Sequence, residues 1–322
     1  MPATFVMLPP HTDTTRDWTH RLAATLPDLK VITAESDVEA RASLPQADGA
    51  YGTLTPDLLA LGGKLRWLQS PLAAPPAGFY FPALVAHPLT VTNMREIYND
   101  HIGAQVMAYV LAFARDFHTY LPLQMRGEWK PREKDQGVLH LPNTVMLIVG
   151  LGGIGAETAR LASAFGIKVI ATDARVSKAP PEVAELHPPG ALDELLPRAD
   201  FVVLTVPHTP ATEGFMNRAR FQRMKRAAFF INIGRGRTTR LDDLVAALRA
   251  GEIAGAALDV FEVEPLPSDH PLWHMQNVLL TPHTAGYGPY LDERRYEILL
   301  ENCRALLHGT PYRNVVDKAN WF

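Results

Sequence analysis

The sequence predicts an α/β protein with a doubly wound parallel sheet and a second α/β domain. Three observations carry this. Apolar runs of strand length alternate with helix-length polar segments along most of the chain, which is the signature of parallel βαβ units. The alternation is interrupted by one long apolar helix and a polar stretch, and restarts at Thr144. At 322 residues the chain also exceeds what one core holds, since single cores stop growing at roughly 250–300 residues.

In the first hundred residues the candidate strands are TFVML (4–8), KVITA (30–34), GAYGT (49–53), LRWLQS (65–70) and TVTN (90–93), with turn residues between them. From Asp100 to Arg115 the chain reads as a long apolar helix, and roughly 116–142 as an irregular, Pro-containing connector or arm packed on a partner. TVMLIVG, from Thr144, is a continuous apolar run, as expected of a strand buried on both faces. A helix (IGAETARLASAFG) and the strands KVIATD, FVVLTVP (201–207) and AFFINIG (228–234) follow. LDDLVAALRAG (241–251) is a helix with acids in its first turn and glycine at its end, matching the dipole and C-cap rules. GAALDVF and NVLLTPH add two strands, and a last helix runs to about residue 309. No fixed-period repeat is present.

Composition narrows the function classes. With 47% apolar and 20% charged residues the chain has the make-up of a soluble globular protein. Thirty-four acids against thirty-one Lys and Arg give a net charge of −3, which argues against nucleic-acid binding through bulk charge. No signal peptide and no run of about 18 apolar residues is visible, so neither secretion nor a membrane span is expected. The one cysteine, Cys303, cannot close an intrachain disulfide, which fits the cytoplasm. No metal site is expected.

Motif chemistry starts at GLGGIG (150–155), which fits Gly-x-Gly-x-x-Gly through Gly150, Gly152 and Gly155. Alone the pattern is weak, but here it ends a buried strand and opens a helix, the context of a Rossmann-type dinucleotide turn. Gly150 permits the tight turn, Gly152 lets backbone approach a pyrophosphate, and Gly155 allows close helix–strand packing. The helix N-terminus then faces the phosphates. Asp173 ends the next strand 18 positions after Gly155, near the usual spacing for an acid on a ribose 2′-hydroxyl. It would repel a 2′-phosphate, so NAD is expected over NADP, with Arg175 the residue that would accommodate NADP.

Three later stretches belong with this turn. INIGRGR (231–237) puts Arg235 in a Gly-flanked turn after a strand, ALDVFEVEP (257–265) places Asp259, Glu262 and Glu264 after another, and LLTPHTAG places His283 after a third. Ligands of doubly wound sheets bind at the C-terminal strand edge. A His, an Arg and a Glu there offer a proton donor, an anion clamp and a partner for the His, a set suited to reducing a 2-oxo acid. Each alone has a structural explanation; their coincidence on one edge favours catalysis. His208 reads as a groove residue, His101 as packing at the head of the long helix, and Trp129 and the pair Tyr80–Phe81 as core.

Taken together, GLGGIG with Asp173, VPHTPATEG, INIGRGR, ALDVFEVEPLP and LTPHTAG resemble the D-isomer-specific 2-hydroxyacid dehydrogenase family over about 144–289. GEWK (127–130) and NVVD (314–317) are also similar. The resemblance implies residues 1–100 with 289–322 as a discontinuous, flavodoxin-like substrate domain, and 101–288 as the NAD-binding domain. It implies NAD(H)-dependent interconversion of a small 2-oxo acid, such as glyoxylate or hydroxypyruvate, and its D-2-hydroxy acid, by a homodimer. Arg235 would hold the substrate's carboxylate and carbonyl, His283 would protonate the carbonyl oxygen, and Glu264 would orient His283 and raise its pKa. Asp259 would contact the nicotinamide carboxamide, and Gly153 and Ile154 would present backbone to the pyrophosphate. Val206, Pro207, Thr212, Ile233, Gly234 and Gly286 complete the implied cofactor groove, and Ala73 and Ala74 stand for the pair whose N–H groups grip carboxylate.

Three positions depart from the family pattern. The loop SPLAAPPAGFYF carries Pro75 and Pro76, which have no N–H to donate. Gly103-Ala104-Gln105 stands where an Ala-Glu-His-like triplet is common, and Gly153 where many relatives carry a larger residue. Two other readings remain in view. A formate dehydrogenase-like enzyme typically has Gln where this chain has Glu264, and an NAD(H)-sensing interaction protein of the same fold would not need the His–Arg–Glu set.

Overall fold

The computed structural model describes residues 3–73, 76, 78–133 and 136–320. The chain divides into two compact units, Met1–Ile97 with Gly288–Phe322, and Tyr98–Tyr287.

The first unit carries β1 (Ala3–Met7), β2 (Leu29–Thr33), β3 (Gly49–Tyr51), β4 (Trp67–Gln69) and β5 (Thr90–Thr92), with helices α1 (Asp13–Thr25), α2 (Asp37–Ser43), α3 (Pro56–Leu61) and α4 (Pro82–Ala86) between them. All strand pairs are parallel and the order is β2-β1-β3-β4-β5, the flavodoxin-like order. Three of these helices are capped by their own sequences: the Thr12, Ser36 and Thr55 side chains each accept a backbone N–H of the first turn. The chain returns to this unit at its C-terminal helix, and it does so through buried polar bonds. Asn302 donates to Gln69 Oε1 at 2.9 Å and accepts from Arg313 N at 2.7 Å, while Trp67 Nε1 donates to Thr92 Oγ1 at 2.8 Å. Buried polar groups are tolerated when bonded, and here they join the helix to the ends of β4 and β5.

The second unit opens with α5 (Asn99–Ala114) and α6 (Phe117–Met125), then β6 (Val145–Val149), α7 (Gly153–Ala164), β7 (Lys168–Thr172) and β8 (Val183–His187). α8 (Leu192–Leu195), β9 (Phe201–Leu204), α9 (Arg218–Phe221), β10 (Phe229–Asn232), α10 (Leu241–Arg249), β11 (Gly255–Leu258) and β12 (Val278–Leu280) follow. The seven strands are all parallel, in the order β12-β11-β10-β9-β6-β7-β8. The chain reverses direction across the sheet between β6 and β9, which makes that point the topological switch where a Rossmann sheet holds its ligand. Alternate strand residues serve opposite faces. Leu147, Val149, Val202, Leu204 and Phe230 face one core, and Met146, Ile148, Val203, Phe229 and Ile231 the other. That is why these strands read as unbroken apolar runs. The last helix, α11 (Leu291–His308), belongs to the first unit.

Three sequence expectations change. Phe117–Met125 of the expected irregular arm is helical despite Pro122 in its interior. VAELH forms β8, an edge strand whose pattern is too polar to announce itself. Trp129, expected in the core, is 95% exposed: it lies in the segment after α6, outside any helix or strand, which Arg132 ties back to Asp116. Tyr80 and Phe81 are partly buried against the core of the first unit.

Candidate active site

The glycine turn after β6 has the geometry its sequence demands. Gly150 sits at φ +98°, a left-handed position that favours glycine. A β-carbon at Gly155 would lie 2.1 Å from Gly150 O, so only glycine lets α7 start this close to the strand. At Gly152, by contrast, a β-carbon would meet nothing within 4 Å: the turn has an open cradle on that side. α7 has no side-chain cap at Gly152, which leaves the first-turn N–H groups of Gly153, Ile154 and Gly155 without intrahelical acceptors. Free N–H groups at a helix start beside an open cradle fit a dinucleotide pyrophosphate.

Asp173, just past β7, completes this side. Its carboxylate accepts from Leu151 N at 2.6 Å, Arg175 N at 2.7 Å and Val176 N at 2.9 Å. Burial works against its charge, but the three N–H donors outweigh it and hold its pKa below the usual aspartate value. Val206 lies across the switch point, where a β-carbon at Gly150 would meet its side chain at 2.9 Å and one at Gly234 its carbonyl at 2.8 Å. Thr212 Oγ1 donates to Pro207 O at 2.7 Å, closing the loop after β9 on itself. Ile233 is packed into the core with 4% exposure, so its part in any groove is through backbone. Gly286 lies against the Tyr98 ring.

The loops after β10, β11 and β12 bring the predicted polar residues together. A cavity of about 230 Å³ is lined by His208, Arg235, Arg237, Phe261, Glu264 and His283, among others. His283 Nδ1 lies 2.7 Å from Glu264 Oε2, and the other oxygen of Glu264 accepts from Phe261 N at 2.9 Å. Glu264 is thus fixed by its own turn and in turn fixes the imidazole. Arg235 donates to Gly234 O at 2.6 Å; burial lowers its pKa and the nearby Glu264 works the other way. Gly236 is obligatory for this loop, because a β-carbon there would fall 1.9 Å from the Phe261 carbonyl. Glu262, the remaining acid of the motif, accepts from Leu241 N at 2.7 Å and serves the start of α10.

Asp259 has a task that sequence reasoning does not reach. It is 2% exposed, and its carboxylate accepts from Thr284 N at 2.9 Å, Ala285 N at 3.0 Å and the Thr281 hydroxyl. Tyr109 of α5 in turn bonds Thr281. His283, at φ +55°, is the tip of a loop held by a buried carboxylate, and its N–H donates to Asp259 O at 2.8 Å. Only the Thr281 hydroxyl, two residues before His283, hints at this in the sequence. His208 is half-buried, 3.6 Å from Glu213. In the first unit, Ala73 O accepts from Asn93 Nδ2 at 2.9 Å; Ala74 and Pro75 lie outside the described residues.

A dinucleotide turn at the switch point of a parallel sheet, with polar side chains along the same strand edge, defines an NAD(P)-dependent oxidoreductase. The model of the D-isomer specific 2-hydroxyacid dehydrogenase NAD-binding domain matches residues 107–285. A glyoxylate/hydroxypyruvate reductase B from Citrobacter koseri is 34% identical over 305 residues, 92% of each chain. Among solved structures, a D-isomer specific 2-hydroxyacid dehydrogenase from Xanthobacter autotrophicus in complex with NADPH superposes with a TM-score of 0.82 at 30% identity, over 99% of this chain and 100% of that one. An NADPH-dependent glyoxylate/hydroxypyruvate reductase from Sinorhizobium meliloti gives 0.80 at 26% identity, over 99% and 100%. The chain belongs to the D-isomer specific 2-hydroxyacid dehydrogenase family. Among its described residues no helix is long and apolar enough to cross a membrane.

Proposed function

We propose that this protein reduces a small 2-oxo acid, of the glyoxylate or hydroxypyruvate kind, to its D-2-hydroxy acid with NADH, using His283 as the proton donor. The observation that carries this is the His283–Glu264 pair at 2.7 Å in a cavity also lined by Arg235. The nicotinamide, when bound, supplies the hydride. Arg235 offers a forked guanidinium to the substrate's carboxylate and carbonyl, a geometry that lysine does not reproduce. Glu264 accepts a hydrogen bond from Nδ1–H of His283, which leaves Nε2 to give a proton to the carbonyl oxygen and to take it back in the oxidative direction. The loop through Ala73, anchored by Asn93, is the candidate carboxylate contact in the first unit, which we read as the substrate domain.

Asp173 supports NADH over NADPH, since a fixed carboxylate repels a 2′-phosphate. The exposed apolar side chains of α6 and the arm support a homodimer, and the single, fully buried thiol of Cys303 supports a reducing compartment such as the cytosol. The test is loss of NADH absorbance with a panel of 2-oxo acids, for the native protein and His283→Ala. The variant should turn over about 10²–10⁴-fold more slowly, the usual scale for a general acid, with NADH affinity nearly unchanged. Native-like turnover by the variant would remove His283 from the mechanism. Tight NADH binding without turnover of any 2-oxo acid by the native protein would favour a sensing role.

A further inference from the structure

The space that a side chain at Gly153 would fill is taken by Asn99. A β-carbon at 153 would lie 2.4 Å from Asn99 Nδ2 and 3.0 Å from its Cγ and Oδ1. Asn99 is the first residue of α5, and α5 runs beside α7 in the same direction: Asn99 meets Gly153, and one turn on Gly103 meets Glu157, with 3.0 Å from a β-carbon there to Glu157 Cγ. Two glycines, Gly103 and Gly153, therefore let the helices approach closely and bring their N-terminal ends to the same place. The positive ends of both dipoles fall beside the cofactor turn. The Asn99 amide is half-buried and has no hydrogen-bond partner among the described residues. Its donor end, Nδ2, is the atom nearest the turn. An amide donor that is half-open at the edge of the cradle, and that no described side chain engages, is available to an acceptor that arrives with a ligand.

We infer that Asn99 is a further cofactor-binding residue, whose side-chain amide donates a hydrogen bond to the pyrophosphate of the bound dinucleotide from the space left by Gly153. Asn99 lies outside the residues 107–285 that the family's NAD-binding model matches. The inference concerns the cofactor alone and stands whatever 2-oxo acid the enzyme takes.

The test is a set of binding measurements, by calorimetry or NADH fluorescence, with NADH, ADP and adenosine. Asn99→Ala removes the amide at a helix position where alanine is well accepted. It should weaken NADH and ADP about tenfold, the scale of one hydrogen bond to a charged group, and leave adenosine unchanged. Gly153→Ala should weaken NADH in the native background by displacing Asn99, and cost little more in the Asn99→Ala background. An Asn99→Ala protein that binds ADP like the native one overturns the inference, as does an equal loss for adenosine. An equal cost of Gly153→Ala in both backgrounds also overturns it, because the added methyl would then act on the ligand without Asn99.

Discussion

Asp173 shows how one side chain is given two tasks. Three backbone N–H groups, from the glycine turn at Leu151 and from Arg175 and Val176, converge on its two oxygens. They lock the turn to the end of β7 and leave lone pairs over for ribose hydroxyls, since a carboxylate has about four acceptor sites. Asp173→Ala should therefore weaken NADH more than NADPH in parallel titrations; an unchanged ratio of the two dissociation constants would take Asp173 out of the ribose site. The same bonds have a pH signature. The folded-state pKa of Asp173 is depressed, so its stabilisation is full above the unfolded aspartate value, about 3.9, and is lost as pH falls through the lower folded value. Thermal melts across the acid limb should fall less steeply for Asp173→Asn than for the native protein. Parallel acid limbs would show that the carboxylate's charge does not hold this turn.

Elements, more than residues, decide what the sequence reveals. β6, β9, β10 and β11 are legible because both faces are buried, so each is a largely apolar run followed within three residues by a motif residue: Gly150, Val206, Arg235 and Asp259. β8 is not, since an edge strand with a half-exposed pattern looks like any polar segment. α6 hides behind Pro122, which disfavours a helix interior, and Trp129 lies in a segment tied back by an Arg132–Asp116 ion pair that no spacing predicts. The catalytic set is legible as residue types, whereas the buried Asp259 bracket under His283 and the Asn99–Gly153 contact arise only when loops and helices distant in sequence meet. The glycine motif itself mixes two kinds of constraint. Gly155 is structural, with 2.1 Å from a β-carbon to Gly150 O, and Gly152 faces open space. Gly152→Ala should leave the melting temperature close to native while weakening NADH binding. Gly155→Ala should cost about 1–3 kcal/mol of stability through forced backbone movement, seen as a melting temperature lower by several degrees. If both variants melted alike and bound alike, the division between cradle and packing glycine would be wrong.

At the scale of the whole molecule, the surface around α6 is the one we propose for assembly. Phe117, Leu121, Met125 and Trp129 recur every four residues and are 53%, 51%, 89% and 95% exposed. Exposed large apolar side chains grouped on and just after one helix mark an interaction surface. The segment that carries Trp129 is also held in place from its own side. Arg132 Nε lies 2.7 Å from Asp116 Oδ2, and its Nη2 donates to Thr119 Oγ1 at 2.8 Å. Asp116 is fully buried, and breaking a buried pair by removing one partner leaves a costly lone charge, so the arm is fixed before any partner arrives. Pre-fixing a surface lowers the ordering cost of association, and a second copy of the chain is the partner we propose. Met125→Glu with Trp129→Glu changes two side chains that touch solvent almost completely, so each unit should fold as before. Sedimentation should then show the native protein as a dimer and the double variant as a monomer, with Arg132→Ala intermediate because its arm must be ordered on association. A native monomer, or a charged variant that remains dimeric, would mean that this group is not the surface on which two copies meet.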